Sequence, residues 1–107
     1  MVAPDVIERV NEYIEAVEKR GITVSSVIVY GSHARGEAKE WSDIDVVVVS
    51  PVFDNRDSGN EVNILWEETA GSCRQIEPVP CGKQRWTEED GSPIIEIART
   101  EGVQIFP

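Results

Sequence analysis

Between Pro4 and about Arg20 the apolar residues Val6, Ile7, Val10, Ile14 and Val17 are spaced by one, three, four and three positions, which sets them on one stripe of a helix. Pro4 suits the first turn, Asp5 and Glu8 favour the positive end, Lys19 and Arg20 favour the negative end, and Gly21 supplies a stop. The period then changes. Thr23 to Tyr30, preceded by Ile22, is rich in β-branched residues and predicts a strand that ends at Gly31. A second strand, Asp43 to Ser50, contains four consecutive valines and is bounded by Pro51; so continuous an apolar run predicts a central place in a sheet.

Residues 51 to 60 are rich in Asp, Asn, Gly and Ser without an apolar period and are expected as an exposed loop. A helix is predicted over Glu61 to Thr69, with Val62, Leu65 and Trp66 on its packing side and Gly71 as its end. A third strand is predicted from about Cys73 to Val79; Pro78 and Pro80 place it at a sheet edge, because proline has no N–H for a ladder. Ser92 and Pro93 suit the cap and first turn of a last helix to about Thr100, followed by Gly102 and an extended Val103 to Phe106. This order predicts an α/β (α+β) domain, a small mixed β-sheet with helices packed on it. A chain of 107 residues is expected to form one domain over 1–107, since domains typically take roughly 100 to 150 residues. A site needing a larger wall would borrow it from a homo- or hetero-oligomeric partner.

Charge narrows the function classes. Twenty acidic and ten basic residues give a net charge of −10, a surface that repels phosphate backbones, so a grip on long nucleic acid is not expected. No stretch approaches the roughly 18 to 20 apolar residues that cross a bilayer, and the N-terminus has no basic region followed by an apolar segment; no membrane contact and a cytoplasmic location are expected. Cys73 and Cys81 are too few for a zinc site and are expected as packing thiols. Trp41, Trp66 and Trp86 are likewise expected to pack, with Trp41, near Asp43, also able to stack on a base.

The chemistry concentrates in Tyr30-Gly31-Ser32-His33-Ala34-Arg35-Gly36 and Ser42-Asp43-Ile44-Asp45. A strand that runs through Gly-Ser into a short helix leaves backbone N–H groups free to meet phosphate oxygens. Gly31 permits close approach, the Ser32 hydroxyl adds a donor, and Arg35 is a further candidate for the triphosphate. Asp43 and Asp45, two apart on a strand, project from one face with Ile44 turned to the core. Mg²⁺ commonly takes one or two carboxylates plus substrate phosphates, so such a pair beside a phosphate-binding turn suits it. Alone, Gly31-Ser32 reads as an ordinary turn and an Asp pair as a solvated strand start; together, and with Asp disfavoured in strands, they point to function.

Gly31-Ser32, ten intervening residues and Asp43-x-Asp45 resemble the signature of the nucleotidyltransferase superfamily, and most of all its minimal, Mnt-type members. The resemblance implies a polymerase beta-like nucleotidyltransferase fold, two Mg²⁺ ions held by Asp43 and Asp45, and a nucleoside triphosphate, in the first instance ATP, as donor. It also implies a third carboxylate on a neighbouring strand, for which Glu77 in Arg74-Gln75-Ile76-Glu77 is the candidate, out of phase with Ile76; the family often carries Asp here. Mnt-type proteins act as antitoxins that adenylylate a tyrosine of a HEPN-type toxin, which implies a HEPN-type partner. His33 is expected beside the loop rather than as a base, because two metals already ease deprotonation of the nucleophile. The competing reading is a binding module that masks its partner by contact; antibiotic modification fits less well, since a small-molecule pocket needs more chain.

Overall fold

The computed structural model describes residues 2–88 and 92–106. Its chain order is α1 (Pro4–Lys19), β1 (Ser26–Tyr30), α2 (Ser32–Arg35), β2 (Ile44–Ser50), a 3-10 turn (Pro51–Asp54), α3 (Gly59–Gly71), β3 (Ile76–Gly82), α4 (Lys83–Thr87), α5 (Pro93–Glu101) and β4 (Val103–Phe106). The four strands lie in the order β3-β2-β1-β4. β1 runs antiparallel to β2 and β4, while β2 and β3 are parallel, so the sheet is mixed as the element order predicts.

The valine run explains the layering. Val46 and Val48 face one side of β2 and Val47 and Val49 the other, and all four are shut off from solvent, so both faces of the sheet must be covered. On one face Val46 and Val48 join Val27, Val29 and Ile76 against Val6, Val10 and Val17 of α1 and Leu65 of α3. On the other, Val47 and Val49 join Ile28 and Cys81 against Ile95 and Ala98 of α5. Tyr13 ties α1 to α3: it is fully buried, and its hydroxyl donates to the Leu65 carbonyl at 2.7 Å.

Several boundaries move, each for a local reason. The expected strand from Thr23 shortens to Ser26–Tyr30 because the Thr23 carbonyl accepts from the Ser50 hydroxyl at 2.6 Å instead of a strand neighbour; Ile22 and Val24 remain buried. The expected loop 51–60 holds the 3-10 turn, whose Val52 and Phe53 pack on the core, and its last residues begin α3. Two adjacent apolar residues are too few to show a period. The edge strand begins at Ile76 rather than Cys73 and runs on to Gly82. It carries Pro78 and Pro80 because they are two apart, so both ring nitrogens share the open side. The five-residue α4 was not expected, being too short for a helical stripe.

Two of the three tryptophans depart from the packing expectation. Trp41 and Trp66 are 76 % and 50 % exposed, whereas Trp86 packs beside α5 with the Arg99 guanidinium 4.8 Å over its ring. Trp66 sits on the outer side of α3, where one helical stripe cannot bury both it and Leu65. Cys81 is buried and Cys73 half-buried, both as free thiols that pack on the core. Among the described residues no helix is long and apolar enough to cross a membrane. Tyr13→Phe, which removes the hydroxyl bond from α1 to the Leu65 carbonyl of α3, is expected to cost about 0.5 to 1.5 kcal/mol, read as a lower urea midpoint with an unchanged slope.

Candidate active site

Gly31 makes the turn on which the cleft is built. Its φ of +76° and ψ of −150° lie where side chains are disfavoured, and its carbonyl accepts from the Ala34 and Arg35 amides, both at 3.1 Å. A Cβ at this position would stand 2.5 Å from Asp45 Oδ2. Glycine is therefore needed twice, for the backbone and for the carboxylate pressed against it.

The sheet supplies that carboxylate. Asp45 pairs with Tyr30 on β1 and with Glu77 on β3, so Gly31, directly after Tyr30, and Glu77 flank it from neighbouring strands. Ile44 is fully buried, which turns Asp43 and Asp45 to the opposite face, the side on which α5 packs. Asp43 lies one residue before β2. Its approach is held by Ser42 and Gln75: the Gln75 amide donates to the Ser42 carbonyl at 3.2 Å, the Ile44 amide donates to the Gln75 carbonyl at 2.7 Å, and His33 Nε2 lies 3.3 Å from the same Ser42 carbonyl. His33 thus braces the Asp43 segment beside the turn, where it was expected.

Gly31, Ser32, Arg35, Asp43 and Asp45 all line one open cleft of about 450 Å³, which Ile97 and Glu101 of α5 also line. Five of the six residues singled out from the sequence meet there. The sixth, Glu77, is exposed at the sheet edge outside that lining; it stands opposite Asp45 in the strand register and its carboxyl feels the charge of both aspartates. A larger groove of about 680 Å³ runs along α1; it has acidic side chains but no glycine turn, so the paired aspartates and the Gly31 turn meet only in the smaller cleft. Glu101 escaped the sequence reading. Its Oε1 accepts from the Gly31 amide at 3.3 Å and from Arg35 Nη1 at 2.9 Å, and no spacing in the chain signals a contact across 70 positions. Arg35 is exposed and also bonds Glu37 through Nε at 3.1 Å, so carboxylates already occupy it.

The cleft is electrostatically strained. Desolvation, and then the neighbouring charge of Asp43, hold the Asp45 carboxyl above its ordinary value, against a lowering by a hydrogen bond with Glu77 and by His33 and Arg35. Desolvation beside the strand, followed by Asp43 and Asp45, raises Glu77 as well; because Glu77 is exposed, the two aspartates are the part of that rise a cation would remove. Burial, followed by Asp45 and Glu77, pushes the Tyr30 phenol up to about 12, so it stays neutral. Hard oxygen donors with uncompensated negative charge suit a divalent cation such as Mg²⁺. Among the described residues no three acidic, imidazole or thiol groups are already set around an ion position. The fit is to a pair of aspartates whose remaining coordination comes from phosphate and water.

A family model described as "Nucleotidyltransferase domain" matches residues 10–98. The chain belongs to the nucleotidyltransferase domain family. As a nucleotidyltransferase it is an enzyme of a family that generally works with a nucleoside triphosphate and a divalent metal. Three solved structures share its fold. A Sulfolobus solfataricus protein assigned as a nucleotidyltransferase has a TM-score of 0.65 at 16 % identity, covering 92 % of this chain and 77 % of its own. A toxin-antitoxin structure with AMP-PNP has a TM-score of 0.60 at 17 % identity, covering 89 % and 71 %. A mutant of the toxin-antitoxin MntA-HpeT has a TM-score of 0.58 at 14 % identity, covering 90 % and 71 %. No curated protein matches the chain.

Two outcomes follow for this nucleotidyltransferase domain. Gly31→Ala must combine a positive φ with a displaced Asp45 carboxylate, and is expected to lower stability by about 1 to 3 kcal/mol, measured by chemical denaturation. A carboxyl held above its unfolded-state value binds its proton more tightly in the folded chain, so stability from Asp45 is present at low pH and is lost as pH rises through the raised value. Asp45→Asn is therefore expected to raise the melting temperature at neutral pH and to flatten its fall with rising pH, checked by thermal scans across the carboxylate range without divalent ions.

Proposed function

We propose that this chain transfers a nucleoside monophosphate, AMP from ATP, to a hydroxyl, and that the acceptor is a tyrosine of a HEPN-type toxin for which it is the antitoxin. The observation that carries the reading is the placement of Asp45 between the Gly31 turn on β1 and Glu77 on β3, with Asp43 in the same cleft. The Gly31-Ser32 turn would hold the β and γ phosphates through its amides and the Ser32 hydroxyl. Asp43 and Asp45 would hold two Mg²⁺ ions. When bound, these ions neutralise phosphate charge and ease deprotonation of the attacking hydroxyl.

Glu77, whose carboxyl is raised from its ordinary value by desolvation and by Asp43 and Asp45, would accept that proton. The acceptor oxygen bonds to the α phosphorus as the bond to the bridging oxygen breaks, and pyrophosphate leaves from the Gly31-Ser32 end. A protein acceptor is favoured by the openness of the site: Ile97, on the cleft wall, is 44 % exposed, Ile94 on the same helix 42 %, and Trp41, next to Ser42 of the cleft, 76 %. Apolar side chains left around a reactive cleft suit a macromolecular partner. The toxin-antitoxin neighbours, one with AMP-PNP and one a double Asp-to-Glu mutant with the two aspartates two positions apart, support the same donor, partner class and acidic pair. The same exposed side chains favour a second reading, a module that masks its partner by contact alone.

The two are separated by incubating the protein with labelled ATP, Mg²⁺ and the product of the adjacent gene. Label is expected on a tyrosine of that partner, and Asp43→Ala or Asp45→Ala is expected to reduce transfer at least about a hundredfold. Glu77→Gln is expected to lower the rate by about 10² or more while nucleotide binding holds. Neutralisation of the partner that persists undiminished in both aspartate variants would establish masking instead.

A further inference from the structure

Among the residues of the cleft, Glu101 is out of place on charge grounds. The site already contains Asp43 and Asp45 with Glu77 beside them, and the chain carries a net charge of −10. A further carboxylate nevertheless lines the same cleft and accepts from both the Gly31 amide at 3.3 Å and the Arg35 guanidinium at 2.9 Å. These are a backbone donor of the phosphate-binding turn and the guanidinium nearest to it. The fold puts Glu101 there by a close contact: at Gly102 an added Cβ would collide with the Ala98 carbonyl and the Ile28 side chain, so glycine lets α5 end hard against β1 and carries its last residue to Gly31. An oxygen of an acidic side chain bound to an amide and a guanidinium has the partners that a phosphate oxygen would take.

Resting on the nucleotidyltransferase reading above, we infer that Glu101 is an internal stand-in for the triphosphate, occupying the Gly31 amide and Arg35 until nucleotide displaces it. It therefore sets the affinity of the cleft for nucleotide and keeps it low. The contact also keeps Arg35 folded over the cleft beside the turn, ready to be handed to the incoming phosphate. A triphosphate carries more negative charge than a monophosphate and so competes better against the carboxylate for the Gly31 amide and Arg35.

Removal of the competing charge tests this. Titration calorimetry with AMP-PNP and Mg²⁺ is carried out on the wild type, Glu101→Gln and Glu101→Ala, with thermal unfolding to show that each is folded. Both variants are expected to bind roughly three- to tenfold more tightly, the size of one released exposed charge pair and its repulsion of phosphate, and the wild type is expected to prefer AMP-PNP over AMP by a wider margin than either. Unchanged or weaker binding in both variants would overturn the inference and make Glu101 a brace of the turn, while transfer by the wild type would leave the nucleotidyltransferase reading intact. A wild type that neither binds nor transfers nucleotide, with its partner present, would remove both.

Discussion

The contact between Asp45 and the Gly31 turn organises the rest of the cleft. A carboxylate oxygen occupies the space that any side chain at position 31 would need, so β1 must end, turn and start α2 without a Cβ in the way. Because Asp45 pairs with Tyr30 on one side and Glu77 on the other, that single approach brings the Gly31-Ser32 turn, an acidic pair and a third carboxyl to adjoining strands. The stability this costs shows in the raised carboxyls of Asp45 and Glu77. Like charges held together before any ligand arrives are a reserve of repulsion that a cation relieves.

The surrounding fold exists to hold that arrangement still. β2 is central and buried on both faces, with α1 and α3 on one side and α5 on the other, so the strand cannot slip by one position without turning Asp45 toward the α1 and α3 core. The Asp43 side is held less by packing than by hydrogen bonds, through Gln75, Ser42 and His33. Ile97, exposed on the cleft wall, and Ile94 on the same helix leave apolar surface beside the cleft.

Glu101 gives the cleft a second acidic boundary from the end of α5. It ties the end of α5 to the turn, and the close approach of Gly102 to Ile28 seats that helix end against β1. The Arg35 guanidinium that lines this open, acidic cleft is already paired with carboxylates.

The sequence by itself determined the mixed α/β class, the central valine strand, the proline-marked edge strand, the Gly31-Ser32 turn and the shared face of Asp43 and Asp45. Each of these follows from local stereochemistry: a period of two or of nearly four, a missing N–H, a backbone angle only glycine tolerates. Tertiary structure alone decided that Tyr30, Asp45 and Glu77 stand abreast, that the Val52-Phe53 turn and α4 complete the packing, that Trp41 and Trp66 stay in solvent, and that Glu101 reaches Gly31. Those outcomes depend on strand register and on where helices end against the sheet. Pairings across tens of residues leave no periodic trace in the chain, because they are set by the closing of the fold rather than by any neighbour in sequence.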